Sequence, residues 1–83
     1  MKKWYVYIVR CCDNSLYAGV TIDVGRRLDE HNHNDRLGAK YTRARRPVEL
    51  IFERRFGSRS EACKFETQIK NMTKKQKENL VRG

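Results

Sequence analysis

An apolar run near the start of the chain limits the fold more than any other feature. Residues 4–12 are rich in aromatic and β-branched side chains, a composition typical of a β-strand. The turn-forming residues 13–15 follow, and the next run of strand type covers residues 16–21. The sequence therefore predicts a β-hairpin over the first twenty-one residues.

The rest of the chain alternates between helical and strand patterns. Asp23 is a good N-cap, and the apolar positions after it predict a helix to about residue 34. A third strand is predicted over 48–56. Capping boxes at Ser58 and Thr73 predict two further helices, the first with an apolar stripe. The order β-β-α-β-α-α indicates an α+β domain with a small, mostly antiparallel sheet.

The length and the net charge of the chain limit its possible functions. Eighty-three residues suffice for one domain with one modest core. Nineteen Lys and Arg against ten Asp and Glu leave a net charge of +9. Such a positive field favours nucleic acid or an anionic surface as the partner.

Membrane and secreted classes are not indicated. The longest uncharged apolar run, residues 4–9, is too short to span a bilayer, and no cleavage site of a signal peptide follows it. Cys11, Cys12 and Cys63 form neither a disulfide framework nor a C-x-x-C zinc pattern. We therefore expect a cytoplasmic protein without a membrane partner.

Three side chains on the predicted helices could bind a ligand or take part in catalysis. Glu66 lies on the flank of an apolar stripe, where a carboxylate needs a metal, a cation or hydrogen bonds. Arg27 and His31 share one helical face, where an arginine fork could hold phosphate and a histidine could transfer a proton. The plainer alternatives are a salt bridge for Glu66 and a solvated face for Arg27 and His31.

The hairpin supplies a second group of candidates. Tyr7 and Tyr17 face one pocket only if the hairpin loop has an odd number of residues, such as 13–15, or if a bulge intervenes. Cross-strand aromatic packing is the alternative reading of these rings. Gly19 lies inside a predicted strand, where glycine often marks a bulge or a close backbone approach.

Residues 32–46 form a polar, basic stretch that is either a long loop or a short broken helix. Basic side chains with an aromatic ring among them suit a surface that binds phosphates and stacks on bases. A solvated loop that only aids solubility is the alternative. The candidate nucleic-acid-binding residues are Lys40, Tyr41, Arg43, Arg45 and Arg46.

Several motifs, taken together, resemble the GIY-YIG nuclease family. The sequence Tyr-Val-Tyr at 5–7 and Tyr-Ala-Gly at 17–19 precede Arg27, His31 and Glu66, in the order typical of that family. The pattern covers nearly the whole chain and is similar to the small, single-domain YhbQ-like members found in bacteria. The resemblance implies one GIY-YIG domain over residues 1–83, with a three-stranded antiparallel sheet flanked by helices.

The resemblance also implies metal-dependent hydrolysis of phosphodiester bonds in DNA. Tyr7 or Tyr17 would deprotonate the attacking water, and Tyr7 is the favoured base. Arg27 would stabilise charge on the phosphoryl oxygens, and His31 would assist proton transfer or orient the water. Glu66 would be the sole protein ligand of one Mg²⁺ or Mn²⁺ ion, weakly held without DNA.

The sequence departs from the family pattern in three places. The first motif lacks its leading glycine, the second has Ala18 at its centre, and Ile22 stands where many family nucleases carry a lysine. Our main hypothesis is a DNA endonuclease, selective for branched, damaged or single-stranded structures and acting in repair or recombination. The alternatives are a nucleic-acid-binding module with little or no turnover, and a subunit active only with a protein partner. DNA is favoured over RNA.

Overall fold

Three strands and four helices make up the described part of the chain. The fold is given by a computed structural model, which describes residues 3–83. The predicted order β-β-α-β-α-α is confirmed, with one additional four-residue helix, α2, inside the basic stretch. In chain order the elements are β1 (Trp4–Arg10), β2 (Leu16–Thr21), α1 (Val24–His33), α2 (Lys40–Arg43), β3 (Glu49–Phe56), α3 (Arg59–Lys70) and α4 (Lys74–Arg82).

The strands form one antiparallel sheet in the order β2-β1-β3. The central strand β1 is covered on both faces, which explains its almost continuous apolar sequence. On one face it packs against α3 and α4, and on the other against α1. The buried residues of the first face are Val6, Ile8, Ala18, Ala62 and Ile69, and those of the second are Tyr7, Val9, Cys11 and Val48.

The hairpin turn is one residue earlier than predicted. The Cys11 N–H donates to the Ser15 carbonyl at 2.8 Å, and the Asn14 N–H donates to the Cys11 carbonyl at 2.9 Å. Asn14 has φ of 70°, in the left-handed region that asparagine tolerates well. The loop is therefore the three residues 12–14 rather than 13–15, a type of hairpin connection that ends in a left-handed residue.

The length of this loop still puts the two tyrosines on one face. Tyr7 lies opposite Gly19, and Val9 lies opposite Tyr17. Because side chains alternate along a strand, Tyr7 and Val9 share a face, and Tyr17 shares it with them. The prediction of an odd-numbered loop is thus confirmed, although its residues are shifted by one.

Helix ends follow the predicted caps with small differences. The Asp23 side chain accepts from Arg26 N–H, and α1 ends at His33. Ser58 accepts from Glu61 N–H, which is half of a capping box, whereas Thr73 and Gln76 form the complete reciprocal pair. No helix within residues 3–83 is long and apolar enough to cross a membrane.

The third strand begins at Glu49, one residue later than predicted. Val48 does not pair with the sheet, because the Asn32 side chain takes both of its backbone groups. The Val48 N–H donates to Asn32 Oδ1 at 2.7 Å, and Asn32 Nδ2 donates to the Val48 carbonyl at 3.0 Å. This pair of bonds anchors the end of the basic stretch to α1.

Candidate active site

A cavity of about 320 Å³ lies at the free edge of β2, between α1 and α3. Tyr7, Tyr17, Gly19, Arg27 and Glu66, all singled out from the sequence, line this cavity together. The sheet supplies both tyrosines, α1 supplies the arginine and α3 supplies the carboxylate. The remaining lining residues are Trp4, Val20, Arg59 and Cys63.

Gly19 allows the Tyr7 ring to cross β2 toward this edge. A Cβ atom on Gly19 would lie 2.6 Å from Cζ of Tyr7 and closer still to its hydroxyl oxygen. No side chain fits there without moving the ring. The close contact at Gly19 is thus made by a side chain of the neighbouring strand, and the approach of a substrate to its backbone stays a prediction.

His31 lies behind Tyr7 and is completely buried. Its Nε2 is 2.7 Å from the Tyr7 hydroxyl oxygen, and its Nδ1 is 3.0 Å from Oγ1 of Thr42. The backbone N–H of Ala39 donates to Nδ1 at 3.3 Å. Because Nδ1 accepts from a backbone donor, we assign the proton of the neutral ring to Nε2, which then donates to Tyr7.

Burial shifts the pKa values of both His31 and Tyr7. It lowers the pKa of His31 from 6.5 to about 4, and the charge of nearby Arg27 acts in the same direction. Burial also raises the pKa of Tyr7 from 10.0 to about 12, although Arg27 opposes the shift. At neutral pH the free protein therefore holds a neutral imidazole beside a protonated phenol.

Tyr17 is the more accessible of the two tyrosines and is held by aromatic contacts. Its ring meets His31 edge-on, with centroids 5.5 Å apart, and stacks on Tyr41 at 5.7 Å. The guanidinium carbon of Arg45 lies 3.9 Å from the centre of the Tyr41 ring. Tyr41 thus packs against Tyr17 and Arg45, and 38% of it stays exposed.

Arg27 is held by two residues that do not line the cavity. Its Nη1 donates to Glu30 Oε1 at 2.8 Å and to the Leu37 carbonyl at 2.6 Å. Glu30 also lies 3.6 Å from Arg26, so it balances two arginines of α1. The remaining guanidinium nitrogens of Arg27 can face a phosphate in the cavity.

Glu66 is a single half-buried carboxylate, with 22% of its side chain exposed. Among residues 3–83 its ion-pair partner is Lys70, at 3.6 Å, so the expected salt bridge is present but exposed on the lysine side. Among residues 3–83 no three acidic, histidine or cysteine side chains cluster as a metal site. One hard carboxylate fits a Mg²⁺ ion whose other ligands are water and phosphate oxygens.

Three arginines of the basic stretch make internal contacts. Arg43 donates to the Asp35 carbonyl at 2.6 Å, and Arg45 lies 3.0 Å from the Asp13 carboxylate. Arg46 donates to the His31 carbonyl at 2.6 Å and to Asp35 Oδ1 at 2.7 Å. Lys40 is exposed at the start of α2.

Sequence reasoning missed Thr42, Arg59 and Cys63. No local sequence pattern indicates Thr42, because its contact with His31 joins two different elements. Arg59, Cys63 and Glu66, however, recur at i, i+4 and i+7 on α3, which places them on one helical face. That spacing was the available signal for the cavity-facing side of the helix.

Ile22 does not line this cavity. It lines another, of about 420 Å³, between the start of α1 and β3, together with Tyr5 and the carboxylate residues Asp23 and Glu53. The Ile22 side chain therefore takes no part in lining the cavity that holds the two tyrosines. The two acidic residues make this second cavity a poor site for phosphate.

Comparison with known proteins agrees with this geometry. A family model described as the GIY-YIG catalytic domain matches residues 3–79. A UPF0213 protein of Cronobacter sakazakii is 47% identical over 83 residues, covering all of this chain and 85% of the relative. The UPF0213 protein SH2523 of Staphylococcus haemolyticus is 48% identical over 81 residues, covering 98% and 96%.

A solved structure supports the same assignment. The solution NMR structure of the protein EF2693 from E. faecalis is 46% identical, with a TM-score of 0.66, and the match covers 99% of this chain and 85% of that one. Its similarity confirms the α+β fold with a three-stranded antiparallel sheet. This chain belongs to the GIY-YIG catalytic domain family.

Proposed function

We propose that this protein is a metal-dependent nuclease that hydrolyses phosphodiester bonds in DNA. The observation that carries the proposal is the convergence of Tyr7, Tyr17, Arg27 and Glu66 on one cavity at the β2 edge. Two phenols, one guanidinium and one carboxylate can supply proton removal, charge stabilisation and metal binding for phosphodiester hydrolysis.

In this proposal Arg27 binds the scissile phosphate and stabilises the charge that builds up on its oxygens. Tyr7 accepts a proton from the attacking water, whose oxygen bonds to phosphorus as the bond to the leaving sugar oxygen breaks. The leaving oxygen takes up a proton from solvent. His31 donates from Nε2 to Tyr7 and so stabilises the phenolate form that acts as base.

Glu66 is the residue that would hold the ion. A bound Mg²⁺ or Mn²⁺ would polarise the phosphoryl oxygen and lower the pKa of a coordinated water. Tyr17 lines the same cavity and, braced by Tyr41, orients the water or the phosphate. One protein carboxylate supplies few of the ligands that Mg²⁺ requires, so we expect tight metal binding only with the nucleic acid present.

We further propose DNA as the substrate, recognised mainly through its phosphates. Binding of this kind is sensitive to salt and tolerant of sequence, because phosphate contacts position the chain without reading bases. Selection of branched, damaged or single-stranded DNA, as in repair or recombination, fits a site at an open sheet edge. The three free cysteines fit a reducing location such as the cytoplasm.

A second candidate function is nucleic-acid binding with little or no turnover. One observation favours it: a Tyr7 pKa of about 12 leaves almost no phenolate at neutral pH. If a protein partner is required to complete the site, the isolated chain would also show no cleavage. Both alternatives predict binding to DNA without cleavage by the isolated chain.

A cleavage panel tests the proposal. Labelled duplex, single-stranded, flap and four-way-junction DNAs, with matched single-stranded and duplex RNAs, are incubated with Mg²⁺ or Mn²⁺. We expect metal-dependent cleavage of at least one DNA, and its loss in Tyr17→Phe. Intact substrates at saturating protein, with binding retained, would favour the second candidate function.

A further inference from the structure

Two of the cations expected to bind nucleic acid have ion-pair partners within the fold. Arg45 has the Asp13 carboxylate and the Tyr41 ring as partners, and Arg46 has Asp35 and the His31 carbonyl. Only 35% and 24% of these two side chains is exposed. Each of these arginines has a carboxylate partner, which offsets its charge and weakens its attraction for a phosphate.

Arg59 presents the opposite situation. It is exposed and lines the tyrosine cavity, and no carboxylate within residues 3–83 lies in ion-pair distance of it. Its guanidinium carbon lies 5.7 Å from the centre of the Trp4 ring, which lines the same rim. A cation held over an aromatic face but free of acidic partners keeps its charge available for an anion.

The spacing on α3 determines which phosphate Arg59 can meet. Arg59 and Glu66 are seven residues apart on one face of the helix, which is about 10 Å along its axis. Arg27 faces the cavity from α1, on the other side of the β2 edge. A phosphate held by Arg27, with a metal ion on Glu66, would therefore be a different one from a phosphate held by Arg59.

We propose that Arg59 is a second phosphate-binding residue, which holds a phosphate next to the scissile one. The sugar–phosphate chain then crosses the cavity from the Arg27 side to the rim formed by Trp4 and Arg59. It does not follow the basic stretch, residues 32–46. This inference rests on the proposed nucleic-acid substrate. It adds the direction in which the strand runs through the site.

The test measures binding without cleavage. A fluorescein-labelled single-stranded DNA is titrated with the protein in EDTA at several salt concentrations, and the affinity is read from anisotropy. We expect Arg59→Gln to weaken binding roughly fivefold at low salt and to reduce the salt slope by about 0.7, the loss of one phosphate contact. Arg59→Lys, which keeps the charge, should retain the slope.

Two comparisons make the result specific. Arg55→Gln removes an exposed arginine from β3, at the sheet edge opposite β2, and should leave affinity and slope unchanged. Trp4 is the single tryptophan, so its fluorescence should change on DNA addition with the same affinity. The melting temperature of each variant checks folding. Wild-type affinity and slope in Arg59→Gln, or an unchanged Trp4 signal at saturation, would overturn the proposal.

The binding titration and the cleavage panel together separate this proposal from the nuclease proposal. DNA binding that depends on Arg59, in a protein that cuts no substrate of the panel, supports the Arg59 site and overturns the nuclease. Cleavage by a protein whose binding depends on Arg45 and not on Arg59 supports the nuclease and overturns the Arg59 site.

Discussion

The hydroxyl oxygen of Tyr7 lies 2.7 Å from Nε2 of His31, and this contact joins the central strand to α1 inside the core. Thr42 and the Ala39 N–H hold the other ring nitrogen, so the imidazole cannot rotate away. The Tyr7–His31 pair therefore affects both stability and the proposed reaction. Burial shifts the pKa values of both side chains, and it also fixes the Tyr7 phenol at the cavity.

Gly19→Ala should displace the Tyr7 ring, because the new methyl group would overlap it. We expect a loss of about 1–3 kcal/mol in the free energy of unfolding and a loss of cleavage. Gly57→Ala is the matched control, since a Cβ there meets nothing within 4 Å, and it should be neutral or slightly stabilising. Equal urea midpoints for the two variants would contradict the predicted overlap.

His31 should make the protein less stable in mild acid. Its pKa is about 4 in the fold but about 6.5 when unfolded, so the unfolded chain binds more protons between these values. The stabilisation is complete above pH 6.5 and falls by roughly 3 kcal/mol as the pH drops toward 4. Urea unfolding at each pH measures this loss. The His31→Gln variant should lack this component, and His33→Gln, at an exposed histidine, should retain it.

Thr42→Val should weaken the hold on the His31 ring. Valine keeps the shape but removes Oγ1, which leaves Nδ1 with one donor and should cost about 1–2 kcal/mol of stability. We expect kcat to fall with little change in KM, and the ¹⁵N shifts of His31 to show a mixture of tautomers. Thr67→Val, at an exposed threonine of α3, is the control. Unchanged ¹⁵N shifts in Thr42→Val would exclude a positioning role.

The cleavage rate should rise with pH through the neutral and alkaline range. Burial raises the pKa of Tyr7 to about 12, so the phenolate fraction grows about tenfold per pH unit below that value. Single-turnover rates from pH 6 to 9 should follow this slope, without a break near 6.5. Tyr7→Phe should abolish the reaction, and Tyr5→Phe, in the other cavity, should not. A plateau above pH 7 would argue against Tyr7 as the base.

Patterns within single elements allowed most of the fold to be predicted. The hairpin, the Asp23 cap and the α3 stripe all follow from local spacing and capping chemistry. The turn was displaced by one residue because Asn14 takes the left-handed conformation, for which Ser15 is less suited. The start of β3 was misplaced because Asn32, sixteen residues away, takes the hydrogen bonds of Val48.

The candidate site was predictable only in part. Motif order pointed to the tyrosines, Arg27, His31 and Glu66, and the hairpin register explains why the two phenols share a face. The packing of Tyr41 against Tyr17 and Arg45 depends on how α2 packs beside the hairpin. No local pattern encodes such a contact, so it was not predicted, and the role of Tyr41 in stacking on a base stays a prediction.

The central claim is that Glu66 binds a metal ion needed for cleavage. The most direct test compares the Mg²⁺ dependence of cleavage by Glu66→Gln with that of wild type. Single-turnover cleavage of the best DNA substrate is measured at increasing Mg²⁺, beside wild type and the control Glu61→Gln, an exposed carboxylate of the same helix. We predict that cleavage requires Mg²⁺, that Glu66→Gln lowers the rate about a hundredfold or more, and that Glu61→Gln does not. Cleavage by Glu66→Gln at the wild-type rate and with the wild-type Mg²⁺ dependence would contradict the proposed metal site.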